Sequence, residues 1–162
     1  MSTASDSYIK ENRIEYLTAL KNIERVYIKM LQSVKEELRR TGHDDVNDAQ
    51  AIIIYGIGSR ELSFKDVHKQ CYAWTNITYN ITKLVNSGYV TREPAKTDRR
   101  SVRISLTSKG MEIYRVIDAL YDRQFSVIND GYSLTFDDLK PLNIRLSRLE
   151  LLLNDTHPVS QM

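Results

Sequence analysis

With 162 residues the chain has room for one domain with a substantial core, and 41% apolar with 27% charged residues is a folded, globular composition that excludes disorder. The longest apolar run, residues 51–55, is far too short to span a bilayer, and a single cysteine, Cys71, excludes an intrachain disulfide framework. The net charge of +2 is unevenly spread: residues 1–59 hold 8 Lys/Arg against 9 Asp/Glu, residues 60–110 hold 10 against 4, and residues 111–162 hold 5 against 8.

The first residues, MSTASDSY, lack the basic segment and apolar stretch of a secretory signal, and with the one cysteine this favours a cytoplasmic location. Residues 1–7 read as a frayed, flexible terminus. From residue 8 to residue 40 there is neither Pro nor Gly, and Ile14, Leu17, Leu20, Ile23, Tyr27, Met30, Leu31, Val34 and Leu38 recur at spacings of three and four. That predicts a helix of roughly 30 residues, about 45 Å long. A helix longer than its own domain needs borrows its neighbours from a second chain.

Gly42 stands where a helix C-terminal glycine belongs, and Asn47 or Asp48 can cap a short, strongly apolar helix over residues 49–57. Ser63 and Asp66 have capping-box spacing and open a third helix, residues 64–72 at most. A fourth begins two to four residues later: Ile77, Ile81, Leu84 and Val85 share one face, while Thr75, Asn76, Thr78, Tyr79 and Lys83 share the other, and Gly88 ends it. Residues 63–87 are thus predicted to form a helix-turn-helix.

Residues 89–92 and 101–106 then alternate as strands around a loop, 93–100, that contains Pro94 and the adjacent Arg99 and Arg100. Thr107 is the natural cap of another long helix with Met111, Tyr114, Val116, Ile117, Leu120, Tyr121, Phe125 and Ile128 on its apolar face. Residues 135–138 cap a last helix. Leu139, Leu142, Ile144, Leu146, Leu149, Leu151, Leu152 and Leu153 make it apolar around much of its circumference, so it should be buried on more than one side. Together with the first helix it is predicted to form a dimer interface.

The order of elements resembles the MarR family of winged helix-turn-helix transcriptional regulators. The likeness is carried by TYNITKLVNSGYV, residues 78–90, and by DRRSVRISLTSKG, residues 98–110, which looks like the family's wing signature of Asp-x-Arg, a strand, Leu-Thr and a glycine three residues on. The fold class expected is mainly α with a small β-wing. A single regulator domain should cover residues 8–154, with dimerisation helices at 8–40 and 111–154, a DNA-binding winged helix at 47–110, and a tail at 155–162. The resemblance further implies a homodimer that reads a palindromic operator in double-stranded DNA, each recognition helix in a major groove and each wing at a minor groove, with half-sites about 34 Å apart. Such regulators are often repressors.

The predicted DNA-facing residues are Thr75, Asn76, Thr78, Tyr79 and Lys83 on the recognition helix, Arg92 on the first wing strand, and Lys96, Thr97, Arg99 and Arg100 in the loop. Asn pairs bidentately with adenine, Thr and Tyr meet phosphate or a thymine methyl, and guanidinium suits a narrow minor groove. By the resemblance, Asp98 holds Arg100 and structures the wing tip. The likeness also implies a small aromatic effector in an apolar crevice, for which Tyr16, Leu20, Tyr55, Leu62 and Phe64 are candidates by location; each taken alone reads first as an ordinary core residue. Cys71 reads as a small buried residue or, alternatively, as the thiol of a redox-sensing regulator. His43, His68 and His157 show no metal-ligand spacing, no catalytic motif is present, and no cofactor is expected. The competing reading is a winged-helix module whose basic face meets an acidic protein partner.

Overall fold

The computed structural model describes residues 2–70, 76–94, 102–128 and 134–156. They divide into two compact units, Met1–Leu120 and Tyr121–Met162.

Thirty-nine residues without glycine or proline form α1, Ser2–Arg40, which starts earlier than the predicted residue 8 because nothing in residues 2–7 breaks a helix. Its stop is the predicted glycine. Gly42 adopts φ +79°, and the His43 N–H donates to Leu38 O at 2.9 Å, which closes a Schellman turn. Among the α1 residues whose burial is described, Val34, Glu37 and Leu38 near its end are the buried ones. Higher up, Ile14, Tyr16, Leu17, Ile23, Val26, Tyr27 and Ile28 are exposed.

Helix α2, Asp48–Ile57, is capped by Asn47 in a complete capping box with Gln50 and buries Ala51, Ile53, Ile54 and Ile57. A two-residue strand, β1 (Leu62–Ser63), follows and leads directly into α3, Phe64–Gln70. Helix α4 spans Ile77–Asn86, β2 Val90–Pro94 and β3 Val102–Leu106. The sheet is antiparallel in the order β1-β3-β2, with Leu62 opposite Ile104 and Arg92 opposite Ile104 from the other side. Helix α5, Ser108–Ser126, buries Ile113, Ile117 and Leu120. The buried apolar residues of the first unit include Val34 and Leu38 of α1, Ile53, Ile54 and Ile57 of α2, Val67, Ile81, Leu84, Tyr89, Val90, Ile104, and Ile113 and Ile117 of α5.

In the second unit Phe125 packs on Phe136 with ring centroids 5.1 Å apart. Helix α6, Phe136–Thr156, starts at Thr135, whose N–H and hydroxyl both donate to Asp138 Oδ2. None of its residues is buried in the single chain. Leu142, Ile144, Leu146, Leu151, Leu152 and Leu153 are all exposed. Among the described residues no helix is long and apolar enough to cross a membrane.

Candidate nucleic-acid interface

Helix α4 is amphipathic in the expected sense. Ile77, Ile81 and Leu84 are buried, and Thr78, Tyr79, Thr82, Lys83 and Asn86 are exposed. Asn80 belongs to the buried face, where its amide donates to Asn76 O at 3.2 Å. The helix starts later than predicted, and Asn76 is its N-cap: the side-chain oxygen accepts the Tyr79 N–H at 3.2 Å. Bidentate pairing with adenine needs that same oxygen, so the cap and the expected base contact compete for it. The first turn carries no acidic side chain, which leaves the positive end of the helix dipole uncompensated. Lys83 Nζ lies 5.6 Å from the Tyr79 ring centroid, and Thr82 donates to Thr78 O at 2.8 Å.

The other end of α4 is tied to the wing and to α5. Gly88 takes φ +76°, and the Tyr89 N–H donates to Leu84 O at 2.9 Å, a second Schellman turn. Thr107 donates its hydroxyl to Gly88 O at 2.7 Å and accepts the Gly110 N–H at 3.1 Å, so the predicted cap of α5 also grips the end of α4. Strands β2 and β3 pair as far as Pro94 and Val102, and the Thr91 and Ser105 hydroxyls meet at 2.7 Å. Arg92 is exposed, its guanidinium carbon 6.0 Å over the Phe64 ring; Glu93 and Arg103 stand directly opposite across the ladder.

Thr75, Lys96, Thr97, Asp98, Arg99 and Arg100 lie outside the described residues, as do Cys71 and Trp74. Thr78, Tyr79, Lys83 and Arg92 are all solvent-facing. Thr82 and Asn86 are exposed on the same face of α4, at helical spacing from Thr78, Tyr79 and Lys83.

The effector candidates scatter. Tyr16 is exposed and Leu20 half-buried on α1. Tyr55 stacks on Tyr114 at 5.3 Å and donates its hydroxyl to Asp118 at 3.3 Å. Leu62 is a core residue of the sheet, and Phe64 serves as the platform beneath Arg92. Two surface hollows, one of about 410 Å³ along α1 at Arg25, Val26 and Lys29, the other of about 220 Å³ at Lys35, Arg39, His43 and Asn47, include none of the five. Among the described residues no group of His, Cys, Asp and Glu could hold a metal ion.

The helix-turn-helix followed by a hairpin coincides with a family match: the model of the winged helix DNA-binding domain covers residues 46–110. Residues 46–110 are thus similar to winged helix DNA-binding domains. The wider chain is 29% identical over 104 residues to the exopolysaccharide II synthesis transcriptional activator ExpG of Rhizobium meliloti. That match takes in 64% of this chain and 54% of ExpG, so the chain spans about half the length of the relative. Streptococcus pneumoniae FabT, solved in complex with DNA, superposes with a TM-score of 0.64 at 24% identity over 88% of this chain and 99% of that one. A mutant MarR from E.coli, solved with operator DNA, gives 0.64 at 23% identity over 83% and 95%. The winged helix with its long flanking helices is the fold of the MarR-family regulators.

Proposed function

We propose that the chain is a sequence-specific transcriptional regulator that reads double-stranded DNA as a homodimer. The observation that carries this is the exposed face of α4: Thr78, Tyr79, Thr82, Lys83 and Asn86 form one polar, cationic surface inside the only strongly basic third of the sequence. A major groove admits an α-helix, and this face offers donors and acceptors suited to base edges and phosphates. Arg92, seated on Phe64, extends the cationic surface towards the wing. Lys96, Thr97, Arg99 and Arg100 would reach the adjacent minor groove, with Asp98 aiming Arg100, and Thr75 would precede the helix on the same side. ExpG activates transcription, and the FabT and MarR relatives were solved on DNA; both support the reading.

The dimer is supported by the apolar side chains that α1 and α6 leave exposed in one chain. Two-fold symmetry would then require a palindromic operator. A small aromatic effector is proposed on the tyrosine-rich α2 and α5 surface, where Tyr55 and Tyr114 stack. Tyr16 and Leu20 remain proposed contributors. Cys71 as a redox thiol is the alternative mode of regulation.

Selection from a pool of random duplexes tests the class. Enrichment of a palindrome is expected. Failure to enrich any sequence at low salt would favour the acidic-protein-partner reading instead.

A further inference from the structure

Three residues from distant parts of the sequence meet behind the recognition helix. The Tyr89 hydroxyl donates to Asp45 Oδ2 at 2.6 Å, across 44 residues. The Lys109 ammonium reaches the same carboxylate oxygen at 3.3 Å and lies 3.9 Å from the Tyr89 ring centroid. It also donates to Ser87 O at 3.3 Å. Ser87 is the C-cap of α4, so the ammonium sits at the negative end of that helix. Asp45 lies in the connection from α1 to α2, Tyr89 between α4 and β2, and Lys109 in the first turn of α5.

With side chains 48% and 59% exposed, Lys109 and Asp45 alone would be an ordinary surface pair that orders little. The Tyr89 ring changes that. Tyr89 is 1% exposed, and its hydroxyl donates to the carboxylate. A short charge-assisted hydrogen bond on a fixed ring gives the pair a rigid anchor.

We propose that Asp45, Tyr89 and Lys109 are positioning residues for DNA reading: they clasp the C-terminal end of α4 to the α1–α2 connection and to α5, and so set the angle at which the opposite end enters the groove. The inference rests on the DNA-binding reading above. Its physical basis is leverage. A ten-residue helix is about 15 Å long, so a tilt of about 10° at the clasp moves the first turn by about 3 Å. Hydrogen bonds to base edges tolerate only a few tenths of an ångström.

The test compares Tyr89→Phe, Asp45→Asn and Lys109→Met with the parent on the duplex enriched by selection, well below every melting temperature. The phenylalanine variant keeps the buried ring and the backbone bonds Tyr89 N–H to Leu84 O and Thr107 N–H to Tyr89 O, so it loses the clasp and not the fold. Tyr89→Phe is expected to bind roughly five- to tenfold more weakly, with the dependence on salt unchanged, because no phosphate contact is lost. In the free protein, amide exchange over residues 87–90 should quicken. Unchanged affinity for Tyr89→Phe, or unchanged exchange, overturns the clasp and leaves the DNA-binding reading standing. A salt slope smaller by about one in Lys109→Met, with Tyr89→Phe binding like the parent, would instead make Lys109 a phosphate ligand. If the parent enriches no duplex, both the clasp's role and the DNA-binding reading fall.

Discussion

The backbone oxygen of Tyr89 lies where a Cβ on Gly110 would be: the two would stand 2.2 Å apart. This contact seats the first turn of α5 against the end of the recognition helix. It explains why the sequence has glycine three residues after Thr107, whose hydroxyl must reach both Gly88 O and the Gly110 N–H.

Gly110→Ala should therefore destabilise the domain by about 1–3 kcal/mol, the usual cost of forcing atoms into a packed site. The obstacle is backbone, so a rotamer change gives no relief. Gly42→Ala meets open space and should cost only the left-handed backbone strain, about 1–2 kcal/mol. Urea unfolding monitored by circular dichroism compares the two.

Acid should loosen the clasp, and so should alkali. The Tyr89 hydroxyl first, and Lys109 after it, hold the Asp45 carboxyl below the usual carboxylate range against a smaller opposing effect of burial. A depressed folded-state value adds stability above the unfolded value of about 3.9, and that contribution is lost as pH falls through the folded value. Tyr89 is shifted upwards by burial and then by Asp45, and Lys109 upwards by Tyr89. Their contributions are complete below about pH 10 and are lost as pH rises through the raised values. Stability should be level between these limits. In Asp45→Asn the acidic limb should shrink, leaving Asp66 and Asp138, which Ser63 and Thr135 hold down in the same way.

The exposed leucines predict the oligomeric state. Light scattering should give twice the 18.8 kDa chain mass for the parent. Leu146→Asp combined with Leu153→Asp should give a monomer, because two carboxylates cannot be buried unpaired in an apolar interface. Both residues are exposed in the single chain, so the monomer itself should keep its helix content.

Contacts to bases and to backbone should separate in titrations with the selected duplex. Lys83→Ala and Arg100→Ala should each cost about 1–3 kcal/mol if they read bases, with relaxed specificity at one position. A residue that meets only phosphate should weaken all sequences alike and lower the salt slope by about one.

What could be read from the sequence was what is local. The apolar spacing of α4, the glycine stops at Gly42 and Gly88, and the Thr107 cap each depend on neighbours within a turn, and all three were legible. Strand β1 was not, because Leu62 and Ser63 become a strand only through Ile104 and Arg103, about forty residues away. Asn76 suits both capping and base pairing in a sequence, and the structure shows the cap. Leu62 lies in the sheet core and Phe64 lies beneath Arg92, two surroundings that look like a crevice wall in a sequence. The leucines of α6 predict burial, and in the single chain they are exposed or half-exposed. The Asp45–Tyr89–Lys109 contact joins three segments with no shared periodicity, and no spacing rule would have found it.

Two copies of α4 reading one duplex would leave a symmetric mark in hydroxyl-radical footprinting of the parent on its selected duplex. Two protected patches related by a dyad are expected, about one helical turn or 34 Å apart, both weakened in the Leu146→Asp, Leu153→Asp variant. A single patch without symmetry, or even protection along the whole duplex, would rule out paired reading.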